Sequence, residues 1–109
     1  MPKESTIVRS ILDELRLRGS AVWFRKNHGG PFSTAGVPDI EVIFRRGAHE
    51  PAIVVFLEVK RPGGEPTKLQ NATMDSILRA GGFAFVVTSR EEALLILNRI
   101  GLPPKVPPT

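Results

Sequence analysis

The sequence predicts one α/β domain in which a mixed β-sheet is flanked by helices. Three observations lead to this prediction. An amphipathic helical pattern opens the chain, alternating apolar residues at 37–61 describe a β-hairpin, and a strand–helix–strand run occupies residues 52–88. A hairpin is antiparallel, whereas a strand–helix–strand crossover is parallel and right-handed. The predicted order of elements is therefore α-β-β-β-α-β-α.

The first helix is predicted over residues 3–18, because an apolar stripe along one side is followed by Gly19. The stripe consists of Ile7, Val8, Ile11, Leu12 and Leu15. Glu4 lies one turn before Val8, on the same side. There are two explanations for Glu4. Its negative charge is stabilised by the positive end of the helix dipole, or it supplies a third acidic group to a site.

A short strand at residues 21–25 follows, and its Trp23 is expected to pack in the core or at an edge rather than stack on bases. The loop at 26–35 is rich in turn formers and leads towards Asp39. We expect this loop to border a site, although an ordinary solvated loop is the simpler interpretation. The residues that could contact phosphates there are Lys26, His28 and Ser33.

The hairpin joins residues 37–46 to residues 52–61, and a four-residue loop at 47–50 places Asp39 opposite Glu58. Directly opposed residues have Cβ atoms roughly 4.5–5.5 Å apart, where like charges repel. A divalent cation between the carboxylates is the simplest reason for such a pair, since Mg²⁺ takes carboxylate, water and phosphate oxygens. A register shifted by two residues would bury the same face, so that alternative stays open.

Lys60 lies two residues after Glu58 and therefore shares its face of the strand. It could position or activate a metal-bound water, or stabilise charge that develops on a phosphate. A simple ion pair between Glu58 and Lys60 is the structural alternative. Asp39 and Glu41 on the same face would leave excess negative charge near the lysine, which favours the site.

The second helix is predicted to end near Ala80 and to begin with a capping box of Thr67 and Gln70. The capping box is by itself a complete structural reason for a glutamine at position 70. Gln70 could also orient Lys60 or bind a phosphate. Lys68 occupies the first turn, where the helix dipole disfavours a cation. A phosphate contact would give the lysine a reason to be there.

The C-terminal part begins with an apolar strand at 83–88, and Ser89 with Glu92 forms a second capping box that opens the last helix. Residues 102–109 contain four prolines and predict an extended, poorly ordered tail. We therefore expect a domain at 1–101 followed by a tail.

Composition limits the classes of function. A chain of 109 residues with 41% hydrophobic content indicates one small folded domain. The net charge of +4 and the isoelectric point near 10.1 permit nucleic-acid binding. The absence of cysteine excludes disulfides and thiolate metal sites. No apolar stretch reaches membrane-spanning length and no signal-peptide core opens the chain, so a cytoplasmic protein is expected.

Several motifs resemble those of a known nuclease family. Pro38-Asp39 followed by Glu58-Val59-Lys60 matches the PD-(D/E)XK nuclease signature. A wider set of motifs is similar to the VRR-NUC family of that superfamily, and the similarity covers nearly the whole chain. The set consists of Lys26 and residues 28–31, 36–39, 58–64 and 66–70.

The resemblance implies a restriction-endonuclease-like αβββαβα fold and hydrolysis of DNA phosphodiester bonds with Mg²⁺ or Mn²⁺. The residues expected to act in catalysis are Asp39, Glu58, Lys60 and Gln70. The expected metal ligands are Asp39, Glu58 and the Val59 carbonyl, with Glu4 as a second-rank candidate. The expected DNA contacts are Arg25, Lys26, His28, Ser33, Arg61 and Lys68.

Standalone VRR-NUC-like proteins are associated with dimers and junction resolution, so the resemblance implies a homodimer that acts on branched DNA, such as a four-way (Holliday) junction in DNA repair. The aromatic candidates for an interface are Trp23, Phe24 and Phe32. Two other classes stay open. One is a nucleic-acid-binding module without cleavage, which would not need the Asp39–Glu58 pair, and the other is an accessory domain of a phage or repair complex.

Overall fold

The computed structural model describes residues 2–27 and 35–108 and has the predicted order of elements. The helices are α1 (Glu4–Arg16), α2 (Lys68–Arg79) and α3 (Arg90–Ile100). The strands are β1 (Val22–Lys26), β2 (Ile40–Phe44), β3 (Ile53–Val59) and β4 (Phe83–Val87). A short 3₁₀ helix, Gly19–Ala21, leads from α1 into β1. Within the described residues, every helix is too short or too polar to cross a membrane.

The four strands form one mixed sheet in the order β1-β2-β3-β4. The pairs β1–β2 and β2–β3 are antiparallel, and β3–β4 is parallel, as the crossover predicts. Ile40 pairs with Leu57, which is the register predicted for the hairpin. The next pair outward is Asp39 with Glu58, so the alternative register does not occur.

Helices α1 and α3 contact each other on one face of the sheet and cover the main core. Alternation along the hairpin places apolar side chains on this face, and Val42, Val55 and Leu57 are completely buried there. From α1, Ile11 and Leu15 are completely buried against them. Burial of each such side chain stabilises the fold by roughly 1.5–3 kcal/mol, which disfavours a pairing shifted by one residue, since that would turn these side chains towards solvent.

Helix α2 packs against the opposite face, where it contacts β4. Its predicted capping box is present: the Gln70 N–H donates to Thr67 Oγ1 at 3.1 Å, and the Thr67 N–H donates to Gln70 Oε1 at 2.9 Å. Gly36 has a φ of 88°, and a Cβ there would lie 2.7 Å from the Leu69 side chain. Only glycine therefore lets the segment before β2 approach the start of α2.

The capping box predicted for α3 is incomplete. Ser89 Oγ accepts from the Glu92 N–H at 3.0 Å, as expected. The Glu92 carboxylate, however, accepts from the Thr88 N–H at 2.7 Å instead of the Ser89 N–H. Thr88 lies just beyond the last residue of β4, and its N–H takes the place of the Ser89 N–H.

The C-terminal tail is held against the end of α1, whereas the sequence predicted a poorly ordered segment. The Val106 N–H donates to the Leu17 carbonyl at 2.8 Å. The buried Arg18 donates to the Pro103 carbonyl at 3.2 Å, and Leu102 is buried. The last carbonyls of a helix lack partners within it, so the end of α1 offers acceptors that a composition argument does not reveal.

Candidate active site

Two carboxylates meet where β2 begins and β3 ends, on the sheet face that α2 covers in part. Asp39 directly precedes β2, and Glu58 is the second-last residue of β3. Glu58 is only 1% exposed. Its pKa is raised to about 8, first by burial and then by the hydrogen bond to Asp39 and the negative charge of Asp39, whereas Lys60 opposes the rise. In the absence of a cation, the pair therefore keeps a proton at neutral pH.

Asn27 fixes the backbone that carries Asp39, and the sequence analysis did not single it out. Its side-chain amide donates to the Pro38 carbonyl at 3.1 Å, and its backbone N–H donates to the Asp39 carbonyl at 2.8 Å. Pro38 itself is fully buried. An asparagine just after a strand often bonds nearby backbone groups, and this is the signal that could have identified it.

The Asp39 side chain bridges to the neighbouring strand, where Oδ2 accepts from the Val59 N–H at 2.7 Å. The Lys60 N–H donates on the other side of β3, to the carbonyl of Val87, the last residue of β4, at 3.0 Å. The N–H and C=O of one residue point to the same side of an extended strand. The Val59 carbonyl therefore faces the Asp39 side, and its role as a metal ligand stays a prediction.

The two oxygens of Glu58 have different surroundings. Oε2 lies 3.5 Å from Lys60 Nζ and accepts from Gln70 Nε2 at 3.4 Å. Oε1 is buried and accepts from no N–H or hydroxyl group of the described residues. A buried carboxylate oxygen without such a donor costs about 1–3 kcal/mol, so the proton shared with Asp39, or a cation in its place, would satisfy this atom.

The donor set at this place suits a hard divalent cation. Asp39, Glu58 and the Val59 carbonyl offer only oxygen atoms, which Mg²⁺ and Mn²⁺ prefer. Within residues 2–27 and 35–108, no three His, Asp or Glu side chains are grouped so that they could hold a metal ion. Glu4 is exposed and accepts from the Arg61 N–H at 3.4 Å, so it does not complete such a group. Its role as a ligand stays a prediction.

The positive side chains differ in how they are held. Arg25 on β1 forms an ion pair with Glu41 on β2 at 2.8 Å. This pair removes the excess negative charge that the sequence analysis placed near Lys60, because the two residues are direct cross-strand neighbours. The remaining predicted cations are exposed, namely Lys26, Arg61 and Lys68. Two further predicted contacts, His28 and Ser33, lie outside the described residues.

The raised pKa of Glu58 predicts a pH-dependent stability in the metal-free protein. Between its ordinary value of 4.5 and about 8, the folded state keeps a proton that the unfolded chain releases, so stability falls as pH rises through this window. Glu58→Gln imitates the protonated form. In urea unfolding with EDTA, it should match the wild type near pH 5 and exceed it by up to a few kcal/mol near pH 8.

The control for this measurement is Glu41→Gln, which removes a neighbouring carboxylate that is paired with Arg25. Its free energy of unfolding should keep the wild-type dependence on pH. Parallel curves for the wild type and Glu58→Gln would contradict the assignment of the shared proton.

Comparison with solved structures finds a similar fold in a structure titled "VRR_NUC domain". The TM-score is 0.67 and the sequence identity is 24%, and the match covers 90% of this chain and 97% of that chain. No protein-family model matches the chain, and no curated protein matches it. The similarity confirms the predicted fold, and the sheet with its flanking helices is consistent with the restriction-endonuclease-like arrangement.

Proposed function

We propose that this chain is a VRR-NUC-type endonuclease of the PD-(D/E)XK superfamily, which hydrolyses DNA phosphodiester bonds with Mg²⁺ or Mn²⁺. The observation that carries the proposal is the pair of adjacent carboxylates, Asp39 and Glu58, with one buried Glu58 oxygen that accepts from no N–H or hydroxyl group in the described part of the chain. The similar fold of a VRR_NUC domain supports it. The net charge of +4 is compatible with a DNA substrate.

Each residue of the site has a defined part in this proposal. Asp39, Glu58 and the Val59 carbonyl would hold the cation. When bound, the cation lowers the pKa of water and withdraws charge from the phosphate. Lys60, with Nζ 3.5 Å from Glu58 Oε2, orients a water and stabilises negative charge on the phosphoryl oxygens. Gln70 donates to the same Glu58 oxygen and restricts the rotation of that carboxylate.

A panel of linear, flapped, nicked and four-way-branched DNAs tests the activity. We expect cleavage with Mg²⁺ and with Mn²⁺, and little cleavage with Ca²⁺, because the looser coordination of Ca²⁺ positions water poorly. Calorimetry tests the metal separately. A protein that binds DNA but shows no affinity for divalent cations, even with DNA present, would instead be a nucleic-acid-binding module without cleavage.

We further propose that the protein acts as a homodimer on branched DNA such as a four-way junction. One domain of this size carries one site, and symmetric cutting of two strands is most simply achieved by two sites related by a two-fold axis. Light scattering at micromolar concentration should give the dimer mass. A monomer mass, together with equal nicking rates on linear and branched DNA, would contradict this prediction.

A further inference from the structure

Trp23 is an exposed aromatic side chain on the same sheet face as the candidate active site. It is the only tryptophan in the chain, there is no tyrosine, and it is 52% exposed. It pairs with Ile43, which lies four residues along the chain from Asp39 and shares its face of the sheet. At the rise of an antiparallel strand, this separation is about 14 Å, which a few nucleotides of one DNA strand would span.

Within residues 2–27 and 35–108, the sheet is open around this tryptophan. Helix α2 packs over the β4 side of the face, and an open cavity of about 520 Å³ lies beside Trp23 at the β1 side. Its lining includes Trp23, Ile43, Arg45 and Pro103. A space of this size accommodates a nucleotide, and its lining combines an apolar surface with a cation.

The indole ring is held in position by its neighbours. The Arg25 guanidinium lies 5.8 Å from the Trp23 ring centroid, in a cation–π contact. The same guanidinium donates to Glu41 Oε1 at 2.8 Å. The ring is thus fixed from one side before any partner binds, which lowers the entropy cost of stacking on it.

The charges around the ring match a nucleic-acid strand. Arg25 is exposed on this face between Trp23 and Asp39, and Arg45 is exposed at the cavity, whereas Lys26 pairs with Ile40 and belongs to the opposite face. Phosphates of a strand that runs from the cavity to the carboxylates would pass the two arginines. An apolar partner surface would bury the Arg45 charge without compensation.

We propose that Trp23 is a stacking platform for an unpaired nucleobase of the DNA substrate, and this proposal rests on the function proposed above. A nucleobase can stack on a protein ring only when its own face is free, and such contacts are largely independent of sequence. Paired bases inside a duplex offer no free face. Among branched DNAs, the preferred substrate therefore has bases that are unpaired, or that unpair at the branch point, a short distance from the bond that is cut.

Intrinsic fluorescence tests the proposal directly, because the emission comes from Trp23 alone. With EDTA present, a short single-stranded oligothymidylate should quench the emission strongly. A blunt duplex with the same number of phosphates should quench it weakly. The Asp39→Asn protein should show the same quenching, since stacking does not need cleavage. The quenching therefore tests stacking on Trp23 separately from the proposed cleavage of DNA.

Variants are compared by the anisotropy of a labelled single-stranded oligothymidylate. Trp23→Ala should weaken binding about tenfold or more, and Trp23→Phe should retain most of the affinity, because stacking needs a π-face. The matched control is Leu95→Ala, since Leu95 is 54% exposed on α3, away from this face. It should bind like the wild type.

Three results would overturn the proposal. The first is equal quenching by the single strand and the duplex, and the second is unchanged affinity in Trp23→Ala. The third is a Trp23→Ala protein that binds DNA normally but loses its dimer mass, which would make this surface an interface between two copies of the chain.

Discussion

Asp39→Asn and Glu58→Gln are each expected to lower the rate of DNA cleavage by at least about a thousandfold, while the protein stays folded. Each change removes one of the two carboxylates that would hold the cation, and the charge stabilisation supplied by a bound metal is worth several kcal/mol. The fold should persist because neither change creates a cavity. In Asp39→Asn, the side-chain oxygen can still accept from the Val59 N–H, which donates to Asp39 at 2.7 Å in the wild type.

The structure offers a matched control for this experiment. Glu41 lies on the same face, two residues from Asp39, but it pairs with Arg25. Glu41→Gln should therefore keep most of the cleavage activity. Turnover should be measured with saturating Mg²⁺, and circular dichroism should confirm the fold of each variant. Wild-type turnover in either Asp39→Asn or Glu58→Gln would refute the assignment of the site.

Lys60→Ala is expected to lower turnover by at least about a hundredfold while DNA affinity changes little. The Lys60 side chain is only 14% exposed and is held near Glu58, so under the proposed function its charge would act at the reacting phosphate rather than along the DNA backbone. An interaction that strengthens only in the transition state is lost from kcat and not from binding, and removal of one such positive or donor group costs about 10²–10³. Single-turnover kinetics and DNA binding by anisotropy separate the two effects.

Lys68→Ala is the comparison variant, because Lys68 is exposed in the first turn of α2 and lies in no ion pair described in the structure. It should weaken DNA binding. The slope of log affinity against log salt concentration should become shallower by the amount that corresponds to about one phosphate contact. Its turnover at saturating DNA should stay near that of the wild type. If Lys60→Ala instead lost affinity alone, Lys60 would be a phosphate anchor without a catalytic role.

The sequence by itself determined the order of the elements and which face of the hairpin is buried. Side chains alternate along a strand, so a pairing shifted by one residue would separate Val42 from Val55 and Leu57, whereas a pairing shifted by two residues would bury the same face. Asp39 and Glu58 therefore share the other face by sequence, but the tertiary structure decided that they stand opposite each other. The capping box of α2 was equally predictable, because all its groups lie within four consecutive residues.

The tertiary structure alone decided which partners the polar groups take. Glu41 pairs with Arg25 rather than adding charge near Lys60, and Asn27 holds the backbone at Asp39. Trp23 is likewise 52% exposed on the edge strand β1, although the sequence predicted packing in the core or at an edge. These features arise between segments distant in the chain, where local periodicity carries no information about distance, burial or competing partners.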